Sequence, residues 1–220
     1  MAMPVNQVSE SAQVATACSQ CAALRKGLLP GTDWPALLAH VAGEDAFELF
    51  GLPASFDIDE RALADAARSI HRNIHPDRLP RGDEAAQDFA LRASAIVNQA
   101  LATLKDPRLR AEHLLARAGG KSASEDKQVP PGLLAEMMMI REELEEARAA
   151  NDAATLARIL AEALHRRNDT AGQIAALCAR LNSAAPDHDE VRSSLRMQLN
   201  AMKYHANLVN ELESSAATRP

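Results

Sequence analysis

Apolar residues recur at helical spacing through most of this chain, and no stretch alternates apolar and polar residues as a half-buried strand would. The clearest stripe is spaced by four, three and four residues, which places its members on one face of a helix: Leu63, Ala67, Ile70 and Ile74. A composition rich in Ala and Leu, with only 9 Gly among 220 residues, also favours helix. The sequence therefore predicts an all-α protein.

Breakers and capping residues divide the chain into segments. Residues 1–43 are expected to be an N-terminal extension of uncertain structure, and residues 44–120 form a first helical domain in which Asp59 caps the second helix. KSASEDKQV, residues 121–129, is polar and is predicted to be a linker. Residues 130–215 contain three long helical stretches with short connections, which favour an antiparallel three-helix bundle. Within the extension, a short amphipathic turn is expected to dock on the body through Trp34, Leu37, Leu38 and Val41.

Charge and composition exclude several function classes. The formal net charge of −6 argues against general nucleic-acid binding, which needs a basic surface. No stretch approaches the apolar length of a membrane span, and the N-terminus lacks the basic start and apolar block of a secretion signal. The three Cys do not look like a disulfide framework, so a reducing, cytoplasmic location is expected.

The stretch NIHPDRLP, residues 73–80, joins two helices through three distinctive residues, His75, Pro76 and Asp77. Pro76 disfavours helical backbone at His75, so the preceding helix is expected to stop there. His75 and Asp77 suit acid–base chemistry, but no nucleophile, phosphate loop or second carboxylate accompanies them in the sequence. Two other interpretations stay open: a plain turn in which Asp77 caps backbone amides and His75 is solvated, and a surface that another protein recognises.

A protein-binding corner would use these residues directly. Pro76 stiffens the loop and lowers the ordering cost of binding, Asp77 offers a carboxylate to an arginine, and His75 offers ring hydrogen bonds. Residues 61–81 contain five Arg against two Asp, and the resulting charge of +3 would steer docking onto an acidic patch. The candidate docking cations are Arg68, Arg72 and Arg78.

A short apolar helix, a basic-faced helix, His-Pro-Asp and an apolar helix in this order resemble a J-domain. In that fold an antiparallel helical hairpin presents the triplet at its tip to chaperones of the DnaK class. The resemblance sharpens to the HscB family of iron–sulfur cluster co-chaperones, because DAFELFGLP, HPDR, IVNQALATLKDPRLRAEHLL and MMMIREELEEA occur in the family's order over roughly residues 45–213. The chain also lacks the Gly/Phe-rich stretch and the CxxCxGxG modules of general-purpose J-proteins.

This resemblance implies a J-domain hairpin and a three-helix bundle in an L-shaped two-domain arrangement. The bundle would bind a cluster scaffold protein of the IscU type. The J-domain would deliver that cargo to a DnaK-class chaperone of the HscA type and stimulate its ATPase. The chain itself is expected to be no enzyme and to carry no cofactor. Ile74 departs from the family, which usually has Tyr before the triplet, and is expected to be tolerated as core.

The first bundle helix combines acidic residues with methionines. Residues 133–147 contain five Glu and one Arg, a net charge of −4, and three consecutive Met at 137–139. Because successive helix residues point about 100° apart, the three Met cannot all face the core. Exposed Met beside carboxylates suits an adaptable protein-binding patch. From the spacing of its apolar residues, one face of this helix is expected to carry Leu134, Met138 and Leu144.

By resemblance, the scaffold-binding face of the family falls on residues spaced by four, which return to the same side of a helix: Leu134, Met138, Glu142 and Glu146. Tyr204, in MKYHANL, matches the aromatic residue that the family places beside this face on the last helix. Ala135 and Met139 depart from the better-known bacterial pattern, which has a larger apolar residue and an acid there. The patch is therefore expected to be less acidic than in those relatives.

Cys18-Ser-Gln-Cys21 has the C-x₂-C form of a zinc half-site, but a structural zinc normally has four ligands. Some eukaryotic relatives carry two such pairs ahead of the J-domain, whereas this chain has one. His40 is available as a third ligand and no fourth is obvious from the sequence, so no metal is predicted. Cys178 lies on an apolar helix stripe and is expected to be a small buried residue.

Two other functions stay as alternatives. One is a J-domain adaptor for a different client protein, which the sequence of the bundle alone does not separate from a cluster co-chaperone. The other is a metal- or thiol-dependent enzyme built on Cys18 and Cys21, although no thioredoxin-like βαβ pattern supports it.

Overall fold

The computed structural model describes residues 18–28, 31–181 and 188–217, apart from the side chains of 215–217. Within these residues the chain forms helices and turns but no strand, which confirms the all-α prediction. The helices are α1 (Ser19–Lys26), α2 (Trp34–Gly43), α3 (Ala46–Phe50), α4 (Glu60–Asn73), α5 (Glu84–Lys105), α6 (Pro107–Arg117), α7 (Leu133–Ala149), α8 (Ala153–Leu181) and α9 (His188–Ala217). The sequence also predicts a helix break at Pro186, a position outside the described residues.

The chain divides into two compact units. The first comprises the described residues up to Ala54 together with Ile58–Ala102, and the second comprises Ser55–Asp57 with the chain from Thr103 onward. Helix α6, which the sequence analysis grouped with the first domain, contacts α8 and α9 of the second unit. No helix of the described chain combines the length and the apolar character that crossing a bilayer requires.

Local sequence sets the helix boundaries in the first unit. Asp45 caps α3 and Asp59 caps α4, each by accepting hydrogen bonds from two backbone N–H groups of the first turn. Gly51 ends α3 in the left-handed conformation, with φ of 68°. The core between α3, α4 and α5 is built from large apolar side chains that are almost fully buried: Phe47, Phe50, Leu63, Ile70, Ile74, Phe89 and Val97.

The N-terminal extension is part of the first unit. Trp34, at the start of α2, packs on Phe89 of α5 with 5.3 Å between ring centroids, and its Nε1–H donates to Oδ2 of Asp83 across 3.0 Å. Leu37 and Val41 are buried as well, whereas Leu38, the remaining residue of the predicted turn, is half-buried. This confirms the amphipathic turn predicted around Trp34 and extends it to a helix of 10 residues. A further helix, α1, packs against α2, α3 and α4.

The second unit contains the helical bundle of α7, α8 and α9. Its core cluster draws Leu133, Met137 and Leu144 from α7 together with Ile159 of α8 and Leu208 of α9. The expectation that Leu134, Met138 and Leu144 share a face is wrong: Leu144 is 1% exposed, whereas Leu134 and Met138 are 52% and 65% exposed. The apolar run LLAEMMMI offers two adjacent apolar faces, and the spacing from Leu133 to Met137 is the one that the core uses.

The segment expected to be a linker is held against α9. Nδ2 of Asn200 donates to the backbone oxygens of Asp126 (3.0 Å) and Gln128 (2.8 Å). Next to it, the side chain of Arg196 is 2% exposed, and its guanidinium forms a two-pronged ion pair with Glu112 of α6, whose side chain is 25% exposed, with an Nη2···Oε1 distance of 2.7 Å. These bonds tie α6 and residues 121–129 to α9, so the segment is ordered rather than a free tether.

Candidate functional site

Helix α4 leads at its C-terminal end into the corner formed by His75, Pro76 and Asp77. Ile74 caps the helix and is fully buried, and it packs as core as the sequence predicted. His75 then turns to extended backbone with φ −63° and ψ 134°, as a residue before proline must. Pro76–Arg78 form a single 3₁₀ turn. The helix therefore stops where the sequence predicted.

The side chains of His75 and Asp77 are 58% and 85% exposed. The backbone N–H of Asp77 donates to Nδ1 of His75 across 3.2 Å, and an Asp77 carboxylate oxygen lies 3.6 Å from the same nitrogen. A turn in which Asp77 caps backbone amides, one of the predicted alternatives, is not what forms: His75 is the residue that caps. Because both side chains are open to water, the corner lacks the enclosed pocket that acid–base catalysis uses.

Buried and hydrogen-bonded neighbours hold the corner in place. Leu79 is 5% exposed and anchors the loop immediately after the 3₁₀ turn. Its N–H donates to the oxygen of Pro76 across 3.2 Å, and Nε2 of Gln87 on α5 donates to the same oxygen across 3.4 Å. Asp83 begins α5 by accepting from the N–H of Ala86. The triplet thus projects from a loop fixed at both ends.

Three arginine side chains flank the corner, and all three are exposed. Arg68 forms an ion pair with Asp65 one turn earlier on α4. Such exposed pairs contribute about 0.2–1 kcal/mol and exchange readily with other partners. Arg72 and Arg78 make no side-chain ion pair with any residue that the structure describes. The cations that the sequence analysis singled out are therefore available to an acidic partner.

Helix α7 presents a second surface, the Met/Glu surface, defined by Leu134, Met138, Met139, Glu142 and Glu146. The three apolar members are 52%, 65% and 69% exposed, and the two glutamates are exposed as well. The neighbouring methionine at position 137 is 8% exposed and belongs to the core. The structure thus confirms that the three consecutive Met divide between core and surface.

The glutamates of α7 also occupy two environments: some pair with arginines of α8, and others lie on the Met/Glu surface. Glu136 forms an ion pair with Arg166 of α8 at 2.6 Å, and Glu143 pairs with Arg158 of the same helix. Glu142 and Glu146 have no ion-pair partner among the residues that the structure describes. The glutamates facing α8 are therefore occupied within the bundle, and those of the Met/Glu surface are free.

Tyr204 of α9 is 42% exposed, in a helix where most other large apolar side chains are buried and Met197 is half-buried. Its neighbour His205 is 6% exposed, and Nδ1 of that ring has no hydrogen-bond partner among the described residues. Burial lowers the pKa of His205, the nearby Glu136 raises it and Arg166 lowers it. The placement of Tyr204 beside the Met/Glu surface stays a prediction.

The cysteines occupy two different environments. Cys178 is fully buried in the bundle, as predicted, and burial raises the pKa of its thiol to about 12. Cys18, which precedes α1, and Cys21 of α1 lie beside His40 of α2 and Glu44, the residue that follows α2. Sequence reasoning missed Glu44, although its position four residues after His40 places the two side chains one helical turn apart.

The comparisons with known proteins agree with this geometry. A co-chaperone protein HscB homologue from Bordetella petrii is 38% identical over 153 residues, which cover 69% of this chain and 89% of the relative. The chain belongs to the HscB co-chaperone family. Residues 129–213 also match the family model described as the HSCB C-terminal oligomerisation domain. Most of the bundle unit therefore lies within an HscB family domain.

Solved HscB structures have the same fold. The chaperone HscB from Vibrio cholerae aligns with a TM-score of 0.63 and 30% identity, covering 79% of this chain and 98% of that one. Human co-chaperone HscB aligns with a TM-score of 0.64 at 21% identity, covering 79% of this chain and 83% of that one, and so shows the fold alone. A J-domain followed by a C-terminal helical domain is therefore the architecture of this HscB-family chain.

Proposed function

We propose that this chain binds a cluster scaffold protein of the IscU type and delivers it to a DnaK-class chaperone of the HscA type. It stimulates that chaperone's ATPase and thereby aids the maturation of iron–sulfur proteins. The chain hydrolyses no ATP itself and acts in the cytoplasm. The J-domain function resides in residues 44–120 and the scaffold-binding function in residues 130–215.

The observation that carries the proposal is the exposed, fixed corner on a chain of the HscB family. His75 and Asp77 project into solvent from a loop whose backbone is restrained by Pro76, Leu79 and Gln87. A restrained loop loses little conformational entropy on binding. Asp77 accepts hydrogen bonds from a partner arginine, His75 adds its ring, and Arg68, Arg72 and Arg78 steer an acidic surface into place.

The Met/Glu surface supports the cargo-binding half of the proposal. Leu134, Met138 and Met139 are large apolar side chains that are exposed together, as at many protein-interaction sites, and free carboxylates border them. A flexible thioether chain adapts to the shape of a partner, while Glu142 and Glu146 select a basic one. Tyr204 adds an aromatic residue of the kind that dominates binding energy at interfaces.

Calorimetric titration of the full chain with an IscU-type scaffold tests the cargo assignment. We expect saturable binding that is unchanged by Asp77→Asn, since that residue belongs to the chaperone-binding corner. Gel filtration of the mixture provides a second readout, in which the two proteins should elute together. Absence of both heat and co-elution would reject the scaffold as cargo and would favour an adaptor for a different client.

A further inference from the structure

We propose that Cys18, Cys21, His40 and Glu44 form a structural Zn²⁺ site that fixes the N-terminal helices to the J-domain. The four donors lie at the start of α1, with Cys18 as its N-cap, and at the end of α2, with Glu44 as its C-cap, and their ligand atoms all lie within 4.8 Å of one another. The inference does not depend on the co-chaperone role, because it concerns how the first unit is held together.

The donor atoms converge on one point. Nε2 of His40 lies 2.8 Å from Oε2 of Glu44 and 3.0 Å and 3.6 Å from the Sγ atoms of Cys18 and Cys21. The thiol of Cys21 donates to Oε2 of Glu44 across 3.4 Å. A tetrahedral Zn²⁺ with Zn–S of about 2.3 Å and Zn–N or Zn–O of about 2.0–2.1 Å holds its donors roughly 3.3–3.8 Å apart. The side chains therefore need only small shifts to enclose the ion.

Hydrogen bonding alone does not account for this convergence. The Nε2 atom of His40 carries at most one proton. It therefore cannot form conventional hydrogen bonds to a carboxylate and two sulfur atoms at the same time. The cluster is also partly shielded from water: Cys21 is fully buried, and the side chains of His40 and Glu44 are 26% and 17% exposed. One Zn²⁺ coordinates all four groups, with the two thiol protons released to solvent, and its charge offsets two of the three negative charges of the thiolates and the carboxylate.

The donor set selects the metal. Two thiolates and an imidazole favour Zn²⁺ over the hard cations Mg²⁺ and Ca²⁺, which take oxygen ligands. Four protein ligands close the coordination sphere, which is the arrangement of structural rather than catalytic zinc. The spacing supports the assignment, because Cys18 and Cys21 lie three residues apart at the start of α1, while His40 and Glu44 lie four apart across the end of α2.

The site has a clear structural consequence. Helix α1 has only 8 residues, which is too short to be stable without tertiary contacts. Nη1 of Arg25 donates to the oxygens of Glu48 (3.0 Å) and Leu49 (2.8 Å) at the end of α3. Nδ2 of Asn73 donates to the oxygen of Leu24 across 2.9 Å. Since Asn73 lies two residues before His75, the zinc would stabilise the helix that braces the base of the corner.

The first test is metal content in the full chain, purified under reducing conditions without a polyhistidine tag. We expect one Zn²⁺ per chain by mass spectrometry. Replacement with Co²⁺ should give thiolate-to-cobalt charge-transfer absorption and d–d bands of tetrahedral intensity. A chain that binds neither ion when supplied in excess, or that holds Cys18 and Cys21 only as a disulfide, would overturn the proposal.

Substitution of single ligands tests where the Zn²⁺ ion is bound. Cys18→Ser and Glu44→Gln remove partly exposed ligands, and each should weaken Zn²⁺ binding by more than the roughly 10–100-fold that loss of a supporting outer-shell residue causes. His165→Gln is the matched control, because His165 and Asp169 form a similar histidine–acid pair, at 3.2 Å, on an exposed helix face. Full Zn²⁺ binding by both ligand variants would place the ion elsewhere and refute the site.

Hydrogen exchange measures the structural role separately from affinity. Chelation of Zn²⁺ in the wild-type chain should increase amide exchange across α1 and α2, with α8 as the internal reference. The Cys18→Ser chain should show the fast exchange even with Zn²⁺ present. Equal protection of α1 with and without the ion would contradict the proposed bracing.

Discussion

The ring of His75 accepts a hydrogen bond at Nδ1 from the backbone N–H of Asp77, across 3.2 Å. This bond leaves Nε2 as the nitrogen that faces a partner, and it fixes the imidazole relative to the Asp77 carboxylate. The two side chains that the sequence suggested as an acid–base pair therefore form one prearranged, exposed element. Its rigidity and its charge lead to separate predictions.

Rigidity is tested at Pro76. Proline lowers the entropy of a free loop by an amount worth about 0.4–1 kcal/mol, which corresponds to about a 2–5-fold change in affinity. Pro76→Ala should raise the concentration of this chain that gives half-maximal stimulation of an HscA-type ATPase by at least that factor. Pro80→Ala, an exposed proline of the same loop, is the matched control and should change it little. Equal effects of the two substitutions would contradict the rigidity argument.

The Met/Glu surface is tested by truncating its apolar centre. Loss of an apolar anchor at an interface weakens binding by about 1–2 kcal/mol or more, so Leu134→Ala with Met138→Ala should raise the Kd for the IscU-type scaffold at least about tenfold. Calorimetry provides the measurement. Leu91→Ala removes a side chain that is 74% exposed on α5, and it should leave the Kd unchanged.

Met137→Ala separates binding from stability on the same helix. This side chain is 8% exposed, and truncating a buried Met lowers the free energy of unfolding by about 2–5 kcal/mol. Urea unfolding should show that loss for Met137→Ala and almost none for Met138→Ala. A reversed order would mean that the two residues had been assigned to the wrong faces.

The ion pair between Arg196 and Glu112 is predicted to matter far more than exposed pairs do. Removing one partner of a buried pair strands the other charge, which costs about 3–5 kcal/mol. Glu112→Ala should therefore lower the free energy of unfolding by that amount, and adding Arg196→Met should recover part of the loss. Asp88→Ala, which breaks the exposed pair with Arg92, should change the free energy of unfolding by less than about 1 kcal/mol. Similar losses of unfolding free energy for Glu112→Ala and Asp88→Ala would contradict the assignment of the first ion pair as buried and the second as exposed.

His205 gives the bundle a pH dependence. Burial holds the pKa of His205 below its usual value, whereas an unfolded histidine titrates near about 6.5. Below that pH the unfolded chain takes up a proton that the folded chain does not, so the contribution to stability is present above it and is lost as pH falls toward the folded pKa. His205→Leu should flatten the dependence of the free energy of unfolding on pH between about pH 7 and pH 5. Parallel pH profiles for wild type and His205→Leu would refute this.

Features encoded locally were predictable from the sequence. The cap at Asp59, the stop before Pro76 and the stripe ending at Ile74 each depend on neighbours within one or two helical turns. The choice between Leu133 and Leu134 as the core position was not predictable, because both begin four-residue apolar spacings. Contacts between distant segments were missed as well, such as Arg196 with Glu112, which are 84 residues apart.

The residues of the candidate site also separate into those predictable from nearby sequence and those that depend on contacts between distant segments. The triplet and the Met/Glu surface could be named from short motifs and from resemblance to HscB proteins. Glu44 could not, since only the packing of α1 on α2 shows that it faces Cys21. The four-residue spacing from His40 to Glu44 is visible in the sequence, but it does not show that this pair packs against the C-x₂-C pair.

The central claim is that the corner activates another protein's ATPase while a separate surface carries the cargo. The most direct measurement is ATP turnover of an HscA-type chaperone with this chain, with and without an IscU-type scaffold, for wild type, His75→Gln and Asp77→Asn. We predict that wild type raises turnover, more so with scaffold, and that both variants fail to raise it while binding scaffold normally in calorimetry. Turnover unaffected by wild type, or full stimulation by either folded variant, would contradict the account.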